Sequence, residues 1–315
     1  MDLKELARSI DAFETVDVSD FQRRARVLQS LWRQEQGIAP GEHYGLHGAR
    51  PLGSRLPMPQ AEERLDNFLT ETVREVVRAE VYDRERSTGK LYGKPRIFND
   101  LLSSQPLCFN LFGELTRDLD LASVVIASLT AGRFTQVTGI EFEESPGRRD
   151  PRYLSDRSAF DIFLRCRDAQ SAACFLGIEV KYHENLIGTA SEHKPRFDEV
   201  ANLMGCFRDD RTPLKSSPLQ QVWRDHLLTG ITRIQDGYAD ALFVTLYPRD
   251  NHHVSEALEV YRAQLTSDSS FAGWTLEDFV TALRRFSDAN WIDKFEDRYL
   301  AFDKIELKLD SAVQQ

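Results

Sequence analysis

The sequence predicts an α/β fold, a mixed central sheet carrying helices, with additional helices at both ends. Three observations predict it. Three apolar stretches between residues 134 and 182 have the length and composition of strands, and a fourth, YADALFVTLY, follows at 238–247. Helical stripes separate the third stretch from the fourth and fill both ends of the chain. Two acidic residues, Asp161 and Glu179, stand inside strands where burial makes a lone carboxylate costly.

Taken in order, residues 20–36 place Phe21, Ala25, Leu28, Leu31 and Trp32 along one side of a helix that Gly37 ends. The Gly- and Pro-rich stretch to residue 59 has no periodicity and predicts a long loop. Its His43 and His47 are four apart, but Gly41, Gly45 and Gly48 argue against the helix that would pair them. Residues 60–86 predict one long helix with Leu65, Phe68, Val73, Val77 and Val81 as its apolar stripe. A second helix starts near Pro106, tolerated in a first turn, and carries Asn110 and Glu114 on one face.

The first strand is expected over 134–143, with Glu141 and Glu143 on one face and Phe142 on the other. A turn, SPGRRDPR, follows. Its Arg148, Arg149 and Arg152 form a positive cluster, read either as phosphate contacts or as a solvated loop. The next two strands, SAFDIFLRC and ACFLGIEVKY, flank a short link. If that loop centres on Gln170, Asp161 faces Glu179 and Cys166 faces Cys174. Opposed side chains of an antiparallel pair have Cβ atoms roughly 4.5–5.5 Å apart. Two carboxylates so close repel each other unless a cation or proton intervenes. Lys181 shares the face of Glu179, and Val180 points away. Such a density of oxygen ligands suits Mg²⁺ or Mn²⁺ rather than zinc.

Helices are expected at 195–207 and over SSPLQQVWRDHLLTGITRIQDG, where Gln220 and Arg224 are four apart and His226 falls on the apolar side. The strand at 238–247 then joins the sheet in parallel. Beyond it, helices are expected at 254–265, 275–286 and 290–308, with Thr275 and Asp278 as a cap. A single domain over 1–315 is expected, with its core at 105–248 and helical extensions at 1–104 and 249–315.

Asp161 on one strand and Glu179-Val180-Lys181 on the next resemble the PD-(D/E)XK nuclease superfamily, as do the flanking LSDRSAFDIFL and GIEVKYHENL and the earlier SSQPLCFNLFGEL. The element count, helix, three strands, helices, strand, is that of its restriction-endonuclease-like α-β-β-β-α-β core. The resemblance implies a metal-dependent nuclease acting on nucleic acid, DNA before RNA. Asp161, Glu179 and the Val180 carbonyl would hold Mg²⁺ or Mn²⁺, with Lys181 beside the attacking water. It implies an acidic contribution from the preceding helix, for which Glu114 is the candidate. It also implies backbone contacts from a neighbouring helix, for which Gln220 and Arg224 are the candidates. Relatives of this fold frequently pair to cut both strands, so the resemblance allows a homodimer, although the sequence names no dimer surface. An inert relative that binds nucleic acid or assembles is the alternative.

Composition narrows the class. The chain has 315 residues, 41% hydrophobic and 29% charged, ordinary for a globular protein. No run of eighteen apolar residues occurs and MDLKELARSIDAFE is no signal peptide, so a cytoplasmic protein without membrane contact is expected. The four cysteines form no C-x-x-C pair and read as reduced core residues. A formal charge of -10 argues against a basic nucleic-acid coat, but not against a local basic patch or a bound cation. Neither G-x-G-x-x-G nor G-x-x-x-x-G-K occurs, which disfavours dinucleotide and P-loop enzymes.

Overall fold

The computed structural model describes residues 1–45, 48–188 and 190–313. The chain forms two compact units: Met1–Arg86, Tyr92–Glu114 and Asp288–Gln315 make the first, Ser87–Leu91 and Leu115–Ser287 the second.

In the first unit, α1 (Leu3–Ser9) and α2 (Asp20–Glu35) begin at capping boxes. Asp2 accepts from the Glu5 amide and Ser19 from the Gln22 amide. The loop expected at 37–59 contains a hairpin, β1 (Gly41–Gly45) and β2 (Gly48–Leu52). His43 lies on β1, and His47 is outside the described residues. The long helix expected over 60–86 is broken. α3 (Gln60–Arg64) stops where Leu65 turns left-handed at φ 56°. α4 (Glu71–Val77) restarts at Thr70, whose hydroxyl accepts from the Val73 amide. A π turn (Arg78–Tyr82), α5 (Arg84–Ser87), α6 (Arg96–Asn99) and α7 (Ser104–Phe112) follow.

The second unit opens with a helix not expected from the sequence, α8 (Leu119–Leu129), capped by Asp118 on the Leu121 amide. Then come β3 (Gln136–Glu144), β4 (Phe160–Arg167), β5 (Ala173–Val180), α9 (Pro195–Met204), α10 (Leu219–Asp236) and β6 (Asp240–Tyr247). α11 (His252–Arg262), a further strand β7 (Phe271–Thr275) and α12 (Leu276–Arg284) complete it. Thr275 caps α12 by accepting from the Asp278 amide, as expected. The helix expected over 290–308 is two, α13 (Asn290–Tyr299) and α14 (Asp303–Val313), in the first unit.

The five strands run β3-β4-β5-β6-β7, antiparallel through β5 and parallel from β5 to β7, a mixed α/β sheet with flanking helices. The hairpin register is the expected one, with Cys166 opposite Cys174. Both are free thiols, as are Cys108 and Cys206. From Cys174 to Val180 every β5 residue is buried, so Glu179 interrupts a strand covered on both faces. On one face Phe163 stacks on Phe175 at 4.7 Å, and both pack into the core that α9, α10 and α11 share. Gly177 is required there: a Cβ at this position would come within 2.4 Å of the Phe160 ring. That close approach seats the residue next to Asp161. Among the described residues no helix is long and apolar enough to cross a membrane.

Candidate active site

The site sits where β4 starts and β5 ends. The last ladder pair, Ile162 with Ile178, leaves Asp161 and Glu179 as the next residues on the two strands. Both line one cavity of about 340 Å³, together with Glu143, Arg157, Gln221 and Asp225. The two carboxylates that the register sets opposite each other thus share one cavity, with Glu143 and Asp225 beside them.

Each of the two carboxylates is held through one oxygen. Asp161 Oδ2 accepts the Val180 amide at 2.8 Å. Glu179 Oε1 accepts both the Lys181 ammonium at 2.7 Å and the Gln221 amide at 2.8 Å. Asp161 Oδ1 and Glu179 Oε2 receive no hydrogen bond from the described residues. Burial, then the charges of Glu179 and Glu143, push the Asp161 carboxyl well above the usual range. Burial and Glu179 do the same to Asp225 on α10. Burial opposes the charge on Lys181, but Glu179, Glu184 and Asp161 outweigh it and hold its ammonium above the ordinary lysine range.

Several expected site residues are elsewhere. Glu114 starts a short 3₁₀ turn beyond the end of α7, in the first unit, where the Thr70 hydroxyl donates to it. It does not line the cavity. Nor do Arg148 and Arg149: the turn that carries them is tied back by the Arg149 amide to the Asp156 carbonyl at 2.7 Å. Gln220 and Arg224 do line it, but as builders of its wall. Gln220 takes and gives hydrogen bonds with Ser191, and Arg224 donates to Ser191 at 2.9 Å and Ser158 at 2.7 Å. Asp156 holds the same wall by accepting from the Ser158 amide and hydroxyl. Val180 and Lys181 do not line the cavity, but the Val180 amide donates to Asp161 and the Lys181 ammonium to Glu179. His226 is a satisfied core residue between Tyr261 and Ser270, as its apolar neighbours implied.

Two functional candidates, Gln221 and Asp225, were not singled out from the sequence, and Glu143 was named there with Glu141 as one that either approaches the site or is solvent-exposed. Glu143, at φ 50°, lines the cavity, whereas Glu141, its neighbour on the strand, pairs with Arg165. Gln221 and Asp225 are four apart on α10 and form the stripe beside Gln220 and Arg224. A second i,i+4 polar pair on one buried helix was the available signal.

The chain matches the family model described as the PD-(D/E)XK nuclease superfamily over residues 15–301. It belongs to the PD-(D/E)XK nuclease superfamily. No curated protein and no solved structure matches the chain. The hairpin of this PD-(D/E)XK chain brings together Asp161, Glu179 and Lys181, the residues on which the resemblance in the sequence rests.

Their chemistry fits a hard divalent cation. The donors are all oxygens, and Asp161 and Glu179 each keep one oxygen unbonded. Asp225, one oxygen of which is buried without a hydrogen-bond partner among the described residues, lines the same cavity. Among the described residues no three His, Cys, Asp or Glu side chains stand close enough to enclose a metal by themselves. The residues present thus offer two carboxylates, a donor set that suits an ion retaining part of its water shell.

Proposed function

We propose that the chain is a metal-dependent nuclease that hydrolyses phosphodiester bonds, with DNA as substrate and Mg²⁺ or Mn²⁺ as the ion. The observation that carries this reading is the one-sided anchoring of Asp161 and Glu179, which leaves an oxygen of each without a hydrogen bond from the described residues at a shared cavity. Asp161, Glu179 and the Val180 carbonyl would hold the ion. Once bound, it would neutralise charge on the scissile phosphate and acidify a water.

The protein groups then divide the work. Lys181 stays charged, so it serves as a donor rather than a base, orienting the attacking water or the phosphate oxygen on which charge builds. Gln221 keeps the Glu179 carboxylate turned one way. Arg157, exposed at the cavity, is the cation placed to meet a phosphate, since Arg224 is engaged by Ser158 and Ser191. A pair of chains cutting both strands belongs to the same reading.

The ion pair between Lys181 and Glu179 also favours a second reading, an inert PD-(D/E)XK-like protein that binds nucleic acid or assembles. One experiment separates them. The purified chain is incubated with linear duplex, circular duplex, single-stranded DNA and RNA, in Mg²⁺, Mn²⁺ or EDTA. Cleavage in metal, lost in EDTA and in Lys181→Ala, supports the nuclease. Binding without cleavage under every condition supports the inert relative. The product ends and the mass of the protein–substrate complex report whether two chains act together.

A further inference from the structure

Asp225 is the residue whose burial the fold alone does not explain. It sits in the middle of α10, a helix whose other inward positions include Val222, Leu228 and Ile231. It is only 4% exposed, and its Oδ2 is sealed from solvent without a hydrogen-bond partner among the described residues. A buried carboxylate oxygen left unpaired costs more than a neutral side chain in its place. Its sequence neighbour Arg224 does not relieve it. That guanidinium gives both terminal nitrogens to Ser191 and Ser158 and lies 3.4 Å from Asp156.

The surroundings connect this oxygen to Glu179. One helical turn earlier, Gln221 donates to Glu179 Oε1, which places Asp225 against the same strand end. On the sheet side Thr245 pairs directly with Glu179 across β5 and β6, and its hydroxyl is likewise buried without a partner. A hydroxyl and a carboxylate with unmet hydrogen-bonding capacity thus both neighbour Glu179. Direct chelation of one ion by Asp161, Glu179 and Asp225 is not what the spacing shows. Mg²⁺ and Mn²⁺ retain waters when two carboxylates bind them, and those waters need acceptors.

Resting on the nuclease reading, we propose that Asp225 is a positioning residue of the cation site. The part of its carboxylate that faces the shared cavity accepts hydrogen bonds from the water shell of the ion that Asp161 and Glu179 hold. Such outer partners are worth about 10- to 100-fold in metal affinity.

The test is a Mn²⁺ titration of the full chain followed by electron paramagnetic resonance, with the melting temperature of the metal-free protein recorded alongside. Asp225→Asn keeps the shape and removes the charge. It is expected to raise the Mn²⁺ Kd about 10- to 100-fold without lowering the melting temperature. Asp225→Ser checks that the result does not depend on how the asparagine amide packs. An unchanged Kd in both variants overturns the inference, as does a Kd that rises only together with a lowered melting temperature. If the wild type binds no Mn²⁺, the nuclease reading falls and this one with it. If Asp161→Asn loses Mn²⁺ and Asp225→Asn does not, only the role of Asp225 falls.

Discussion

Each unit buries a polar group of residues, and the two groups are built on opposite terms. In the first unit Arg298 is fully buried, donating to the Asn67 carbonyl at 2.7 Å, Asn67 Oδ1 at 2.5 Å and Gln29 Oε1 at 3.1 Å. Gln29 returns a hydrogen bond to the Arg298 carbonyl, and Asn110 binds the Asn67 carbonyl and the Tyr299 hydroxyl. The guanidinium stacks over Trp32 at 4.3 Å. Donors meet acceptors throughout. In the second unit Asp161, Glu179, Glu143 and Asp225 crowd one cavity, two of them forced up in pKa, and Asp225 keeps an unpaired oxygen. A closed network holds a fold together, whereas repelling acids, of which Asp161, Glu179 and Asp225 each keep an oxygen without a hydrogen bond among the described residues, wait for something positive.

That contrast can be broken by substitution, and the largest effect is expected at Asp161. Asp161→Asn should reduce metal-dependent cleavage on the order of 10³-fold, about 4 kcal/mol of barrier, with circular dichroism and melting temperature retained. A variant that cleaves normally, or one that unfolds, would place Asp161 with the structural residues.

Arg298→Met should do the reverse. It strands the Asn67 acceptors, so denaturant unfolding should lose about 3 kcal/mol while Mn²⁺ affinity of the folded protein is unchanged. A stable variant with weakened Mn²⁺ binding would erase the distinction between the two groups.

His226 sharpens the comparison within the second unit, as a buried titratable group whose bonds are complete. Burial holds its pKa down to about 3. The native imidazole is neutral, so the unfolded chain binds the extra proton once pH falls below the free histidine range. Stability from this residue is therefore full above about pH 6.5 and is lost as pH falls towards 3. His226→Gln should flatten that part of the unfolding free energy against pH. An unchanged slope would contradict the assignment.

The smallest effect separates two arginines. Loss of one phosphate contact lowers the slope of log affinity against log salt by about 0.9 for duplex DNA. Arg157→Ala should show that change in fluorescence anisotropy, and Arg149→Ala should show none. The opposite pattern would return the phosphate contact to the 148–149 turn.

Much of the second unit was legible because local pattern and tertiary context agree there. The loop centred on Gln170 sets the register that opposes Cys166 to Cys174 and carries Asp161 and Glu179 to adjoining strand ends. The apolar run of β6 announces a central parallel strand, and it is one. What was illegible depended on residues far apart. Gln221 reaches Glu179 across 42 positions, and Thr245 pairs with Glu179 only once β6 is in place. Asn110 and Glu114 share a helical spacing that looked like a site, yet both bond within the first unit, to Asn67 and Thr70. Leu65 breaks a helix that its neighbours favour, through a left-handed backbone no periodicity forecasts. The FAGWT run was too short and too mixed to read as β7, whose strand character comes from pairing with β6.

The central claim is that the acids of the second unit are arranged for a cation and not for stability. Calorimetric melting of the wild type and of Asp161→Asn, each with and without saturating Mn²⁺, tests it directly. A ligand at 100 times its Kd adds about 2.7 kcal/mol to a folded state that binds it. The wild type should therefore melt several degrees higher in Mn²⁺ and the variant should not move. A wild type indifferent to Mn²⁺, or a variant that gains as much, would contradict the claim.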